Sequence, residues 1–333
     1  MRGISVLLFL FLFLSGAFAN EKQPNFSQNT EIYGVKQIEQ IKNWGWDSPT
    51  AGVIGNTPQG VAVGPLDSGK PLSGIQDAKG LGELFTLLQN KFFAPIFLAI
   101  IVLVPVAFAT HLMLFGSKRF AHGVKYKIFS TYNIAVHWLT AVPFIVICIT
   151  GLIMVFGAQL GGGLFVRLAR DLHAISTLAF VVFGPLMFLM WVKASLPKSY
   201  DLKWLLMLGG YLTKGDTIKT PIPSGQFNAG MKMWFWVCTI GGFVMVITGA
   251  IMYFQFAPIN ALRLSAIIHN VLGFAIIALL ITHIYMAVFA IEGALSAMVD
   301  GTMGEEELAI LHSCYYQELQ ASGELERKKV AHS

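Results

Sequence analysis

Five long apolar segments constrain this chain more than any other feature. They run over about 92–116, 133–157, 172–193, 232–256 and 264–291, and each holds about 20 or more mostly apolar residues. At about 1.5 Å per residue that length crosses the roughly 30 Å hydrocarbon layer of a bilayer. Lipid cannot satisfy open strand edges, so each segment is expected to be a helix. With 55% hydrophobic and 12% charged residues in 333, an ordinary soluble domain is excluded. The expected fold class is an all-α membrane protein.

The loops carry an orientation signal. Lys118, Arg119, Lys125 and Lys127 follow the first segment, and Lys193, Lys198, Lys203, Lys214, Lys219 and Lys232 follow the third. The opposite loops hold Arg167, Arg170 and Arg263. The positive-inside rule places the first group in the cytoplasm. The net charge of +5 then reads as topology, not as a nucleic-acid footprint. The mature N-terminus falls outside and the tail, 292–333, inside. That tail has room for a short surface helix.

Residues 1–19 read as a signal peptide: Arg2, an apolar run over 4–14, and the small-x-small site Ala17-Phe18-Ala19. An uncleaved anchor is the alternative. Residues 20–91 are polar, glycine-rich and nearly neutral, and are expected to form an external segment with Trp44 and Trp46 as anchors.

Four histidines fall within or at the edge of these segments: His137, His173, His269 and His283. Ionisable groups inside a membrane are costly and mark functional sites. Orientation gives each a depth. His137 lies one turn into the second segment, near the cytoplasm, and His173 opens the third from outside. His269 lies near the outer start of the fifth, and His283 lies 14 residues deeper, or roughly 21 Å. Depth therefore pairs His137 with His283 and His173 with His269. Fourteen residues at about 100° each fall some 40° short of a whole number of turns, so His269 and His283 share one helix face. Two stacked haems with bis-histidine ligation require this arrangement, and helical bundles bind cofactors between facing helices. The alternative is interhelical hydrogen bonding. A di-metal site is disfavoured because no Asp or Glu falls within the second to fourth segments as bounded here.

Cys148, Cys238 and Cys314 form no CxxC pair, so covalent haem attachment and protein-bound iron–sulfur clusters are unsupported. Gly151, Gly184, Gly241, Gly242, Gly249 and Gly273 have two readings, close approach of a porphyrin or small-residue helix packing. His111 is the one competitor for the inner pair. His122, His312 and His332 are expected to be solvated.

The stretch from Asn133 to Trp138 (N-x3-H-W), the pair Leu172-His173, and His269-Asn270-x2-Gly273 followed by His283-Ile284-Tyr285-Met286-Ala287 resemble a known family. So does Glu292-Gly293-x3-Ala297-Met298-Val299-Asp300-Gly301. The family is the gamma subunit of membrane-bound formate dehydrogenase, a di-haem cytochrome b, and the likeness covers about 130–305. It implies a four-helix di-haem cytochrome b bundle over 130–291 plus one extra N-terminal transmembrane helix at 92–116. The family's axial ligands fall on the same four histidines, with the same pairing.

The resemblance also implies a menaquinone site at the inner haem, matched here by Asn228 and Gly230 beside His283. Read without it, Asn228 is better taken as a helix N-cap than as a quinone contact. The implied partners are an iron–sulfur subunit and a molybdenum or tungsten catalytic subunit that oxidises formate outside a bacterial inner membrane. Arg167, Arg170 and Arg263 are candidates for neutralising outer haem propionates or docking that partner. The acidic run 305–307 departs from the family's more basic tail. Two rivals stand beside this reading. One is the cytochrome b of a hydrogenase or sulfur-compound reductase; the other is a non-haem transporter or membrane anchor.

Overall fold

The structure, a computed structural model, describes residues 81–121, 123–215 and 217–330, apart from the side chain of Glu83. The expected signal peptide, all of the external segment before residue 81, His122 and His332 lie outside the described residues.

Helix α1 covers Leu81–Lys91 and α2 Phe93–Phe115. Strand β1, Lys125–Lys127, precedes α3, Thr131–Val155, and α4, Gly163–Trp191. A short α5, Tyr200–Met207, leads to α6, Ala229–Trp236. One π-turn, Val237–Gly241, joins α6 to α7, Gly242–Phe254, and another, Met286–Ala290, extends α8, Ile259–Tyr285. The tail forms α9 (Ser296–Val299), β2 (Thr302–Gly304), α10 (Glu305–Leu311), α11 (Ser313–Ala321) and α12 (Glu324–Lys328). Among the described residues, helices α2, α3, α4, α6–α7 and α8 are the five long and apolar enough to cross a membrane. Pro105, Pro143 and Pro185 lie inside α2, α3 and α4, as membrane helices allow.

Two boundaries depart from expectation. Helix α4 begins at Gly163 and α8 at Ile259, not at 172 and 264. Hydropathy marks where a helix becomes apolar, whereas its first turns can carry charge. Arg167, Arg170 and Arg263 are therefore helical residues, not loop residues, and α4 contains one acid, Asp171. His173 does not open its helix but lies ten residues along it. The α3–α4 connection ends in Gly161, Gly162 and Gly163 at φ +85°, +65° and +65°. Three successive left-handed residues are a conformation that glycine adopts without penalty.

The chain divides into two compact units. The first comprises 81–97, Phe144–Leu178 and Met245–Val271. Its core gathers Phe85 of α1, Met252 of α7, and Leu262 and Ala266 of α8. Arg263 is buried there; its guanidinium lies against Gly82 and donates to Asn260 Oδ1 at 3.2 Å.

The second unit comprises Leu98–Pro143, Ala179–Val244 and 272–330. Here the tail and the 194–231 loop fold together around Trp204, Ile218, Ile222, Tyr285, Ile291 and Leu311. Ile222 N–H donates to the Ile310 carbonyl at 2.7 Å, and β1 pairs antiparallel with β2. His312, expected to be solvated, is buried and bonds the Gly225 carbonyl at 2.8 Å. Burial holds its imidazole below the usual range, so Nδ1–H donates. Lys118 is wholly buried, its ammonium donating to the carbonyls of Phe115, Thr213 and Gly215 at 3.1, 2.5 and 2.7 Å. Lys232 lies on α6, not in a loop, and its side chain is paired at 2.9 Å with Asp201, almost out of solvent. Both departures share a cause. The segment read as a loop is a folded cap whose carbonyls and carboxylate replace water around these cations.

Candidate functional site

The structure brings the four histidines together as two pairs, matching the pairing expected from depth. In the first unit His173 of α4 faces His269 of α8, with ring centroids 6.4 Å apart and planes at 49°. In the second, His137 of α3 faces His283 of α8 at 6.5 Å and 53°. These rings are too far apart to bond one another and too close for a third side chain between them. Metal–imidazole bonds of about 2.0–2.1 Å on both sides, with each centroid about 1.1 Å behind its nitrogen, give roughly 6.3 Å. The gap fits one metal ion with two axial imidazoles. Among the described residues no group of three or more His, Cys, Asp or Glu could hold a metal ion. Two facing imidazoles without a third side-chain ligand suit an ion whose other bonds come from a macrocycle.

The two surroundings differ. At the first pair, Thr150 Oγ1 lies 3.0 Å from His173 Nδ1, and Thr248 Oγ1 lies 3.0 Å from His269 Nδ1. Thr150 commits its own proton to the Val146 carbonyl at 2.7 Å, and Thr248 to that of Met245 at 3.1 Å. Each hydroxyl must therefore accept from Nδ1–H, which leaves each Nε2 with a free lone pair. Metal-bound histidines are oriented in this way. A Cβ added to Gly151 would lie 3.5 Å from His173 Cε1, and one added to Gly249 the same distance from His269 Cε1. These two glycines line the imidazoles. By contrast, a Cβ at Gly242 or Gly184 would come within 2.7 or 3.2 Å of the Phe180 ring, so these two serve helix packing.

Thr150-Gly151 and Thr248-Gly249 belong to a repeated pattern, Ile-Thr-Gly-x-Ile-Met-x-Phe, at 149–156 and 247–254. The sequence reading passed over this repeat, and with it both threonines. Self-comparison of the chain would have found them.

At the second pair, His137 Nδ1 is buried with no hydrogen-bond partner among the described residues. Aromatic rings enclose the pair: Trp234 stacks on His283 at 5.3 Å and 20°, and Trp138 and Trp191 lie 5.1 and 6.1 Å from His137. Trp191 in turn meets Phe227 at 5.3 Å, next to Asn228.

Asn228 caps α6, its Oδ1 accepting from Met231 N–H at 2.9 Å. The cap uses only the oxygen and leaves the amide N–H groups uncommitted to it. A Cβ at Gly230 would lie 3.1 Å from the Trp204 ring, so that glycine permits a close packing contact. His111 is no rival ligand. Its Nδ1 meets Tyr285 Oη at 2.6 Å and its Nε2 the Tyr211 carbonyl at 3.1 Å, so both nitrogens are engaged. Arg170 pairs with Asp171 at 2.9 Å, and Arg263 Nε is buried without a partner among the described residues.

Residues 128–301 match the family described as prokaryotic cytochrome b561. The cytochrome b556(Fdn) subunit of the nitrate-inducible formate dehydrogenase of Escherichia coli K12 is 30% identical, the alignment covering 56% of this chain and 88% of that one. The formate dehydrogenase cytochrome b556 subunit of Haemophilus influenzae is 28% identical over 55% and 78%, respectively. The cytochrome b556(fdo) subunit of the Escherichia coli K12 formate dehydrogenase is 26% identical over 56% and 90%. Cytochromes b carry haem b, so these matches imply that cofactor here. The chain belongs to the prokaryotic cytochrome b561 family, as a multi-pass membrane protein similar to the cytochrome b556 subunits of formate dehydrogenases.

Proposed function

We propose that this chain carries electrons from a formate dehydrogenase on the outer face of a bacterial inner membrane to membrane quinone. Two haems b, one per histidine pair, supply the one-electron carriers when bound. The observation that carries this reading is the equal spacing of the pairs, 6.4 and 6.5 Å, at the separation two axial imidazoles need. His173 and His269 would hold the outer haem and His137 and His283 the inner one. Thr150 and Thr248 keep the outer imidazoles turned with Nε2 inward. Gly151 and Gly249 keep side-chain bulk away from the same rings.

Asn228 is the quinone contact in this reading, with Gly230 and His283 beside it. A quinone carbonyl accepts hydrogen bonds, and the Asn228 amide nitrogen donates them while its oxygen caps α6. Cap and quinone contact thus use opposite ends of one amide. Menaquinone suits the family resemblance. The partners are an iron–sulfur subunit and a molybdenum or tungsten catalytic subunit, met at the outer face where Arg167, Arg170 and Arg263 lie. The mature N-terminus is periplasmic and the folded cap cytoplasmic. Moving each electron inward works against a membrane potential worth about 2.3 kcal/mol per charge per 100 mV.

Membranes containing the whole complex test the reading. Formate is expected to reduce b-type haem, seen in a reduced-minus-oxidised visible spectrum, and added quinone to reoxidise it. A purified chain with no b-type signal overturns the haem assignment. Reduction by hydrogen but not by formate overturns the donor.

A further inference from the structure

The two histidine pairs are unequal in a way that bears on the direction of electron flow. At the His173/His269 pair both Nδ1 atoms are bonded to threonine hydroxyls at 3.0 Å. Both threonines are buried, and each gives its own proton to a backbone carbonyl, so each can only accept from the ring. At the His137/His283 pair the opposite holds. Among the described residues no side-chain or backbone oxygen bonds a ring nitrogen, and His137 Nδ1 is buried unpaired. The octapeptide repeat places its threonines at one pair only.

A hydrogen bond donated from Nδ1 makes the other ring nitrogen more basic. A more basic axial ligand favours the oxidised metal, and second-shell hydrogen bonding is one of the levers that sets a haem's potential. We propose that Thr150 and Thr248 are positioning residues that hold the His173/His269 haem at a lower reduction potential than the His137/His283 haem. The inference rests on the haem reading above. It supplies what that reading lacks, a downhill step built into the protein that offsets the work of moving an electron inward.

The test is a spectroelectrochemical titration of the full chain, purified with its haem, with no turnover assay involved. Wild type is expected to show two b-type components of distinct potential. His137→Ala is expected to leave one haem that titrates at the lower of the two values. Titration at the higher value overturns the proposal. In the double variant Thr150→Val with Thr248→Val, the reduced-to-oxidised ratio of the lower component is expected to rise about tenfold at fixed ambient potential, which is 59 mV for one electron. Thr150→Ser with Thr248→Ser keeps both hydroxyls and is expected to restore the wild-type titration.

Thr140→Val is the control. Thr140 is buried too, but among the described residues its hydroxyl bonds only the Val136 carbonyl at 2.9 Å. It is expected to move neither component. An unchanged lower component in the valine variant, or a shift confined to the higher one, overturns the proposal. If valine costs the protein a haem, the His137→Ala titration still decides. Wild type without two b-type haems defeats the underlying haem reading. Two haems with unmoved potentials defeat this inference alone.

Discussion

His111 on α2 and Tyr285 on α8 are joined by a 2.6 Å hydrogen bond between Nδ1 and the phenolic oxygen. The Tyr211 carbonyl holds the other ring nitrogen at 3.1 Å, so Nε2 donates and Nδ1 accepts the tyrosine proton. The Tyr285 ring also stacks on Phe108 at 4.3 Å. Within the second unit this cluster joins α2 to α8, two residues beyond His283.

His111→Leu is therefore expected to destabilise the protein without removing haem. It leaves the Tyr285 hydroxyl and the Tyr211 carbonyl unsatisfied, at a cost of about 1–3 kcal/mol for each buried group. Thermal unfolding in detergent measures the loss, and haem content per chain is expected to stay at the wild-type value. Loss of haem in step with His137→Ala would make His111 a ligand after all.

Gly151→Ala and Gly249→Ala are expected to be tolerated, because a methyl group would stand 3.5 Å from each imidazole, an ordinary contact. Leucine at either site has no room and is expected to displace the haem of that pair. Gly242→Ala differs in kind, since its methyl group would lie 2.7 Å from the Phe180 ring. It is expected to cost about 1–3 kcal/mol of packing strain while both haem signals persist. Spectra and melting curves of the same samples separate the two outcomes.

Gly301 sits at φ +77°, and a Cβ there would fall 2.2 Å from the Phe129 carbonyl oxygen. The Gly301 carbonyl also accepts from Ile128 and Phe129 N–H at 2.9 and 3.0 Å. Gly301→Ala is expected to cost more than the ~1–3 kcal/mol of ordinary backbone strain, and to loosen the cap. Faster limited proteolysis within 292–330 is the readout.

Glu307 lies in the first turn of α10 and is buried, which pushes its carboxyl up to about 7; a hydrogen bond from the Gly304 N–H opposes the shift only in part. A folded pKa above the ordinary value of 4.5 means that the folded cap binds the extra proton. Stability from this group is then fully present below pH ~4.5, falls as pH rises toward ~7, and is flat above. The fall is on the order of 3 kcal/mol. Glu307→Gln is expected to flatten this stretch of the stability–pH curve and to raise stability at pH 8. An unchanged slope would show that Glu307 ionises normally.

Apolar run length made the helices legible, since a bilayer imposes one simple demand on every crossing segment. The histidine pairs were legible too, because loop charge fixes direction and helical rise fixes depth. What escaped was everything set by polar contacts between distant segments. His312 reads as solvated and Lys118 and Lys232 as loop residues, yet carbonyls and a carboxylate from the folded cap enclose them. Thr150 and Thr248 escaped for another reason. A threonine inside a membrane helix ordinarily bonds its own backbone, and here it does so while also receiving an imidazole proton. The start of α4 was misjudged because Arg167, Arg170 and Asp171 interrupt the hydropathy but not the helix.

The central claim is that each histidine pair holds one haem. Its most direct test is haem content and the b-type spectrum in four single variants, His137→Ala, His173→Ala, His269→Ala and His283→Ala. Wild type is expected to bind two haems per chain. Removing His173 or His269 is expected to abolish the same spectral component, and removing His137 or His283 the other. One haem or none in the wild type, or variants that group as His137 with His173, would contradict the account.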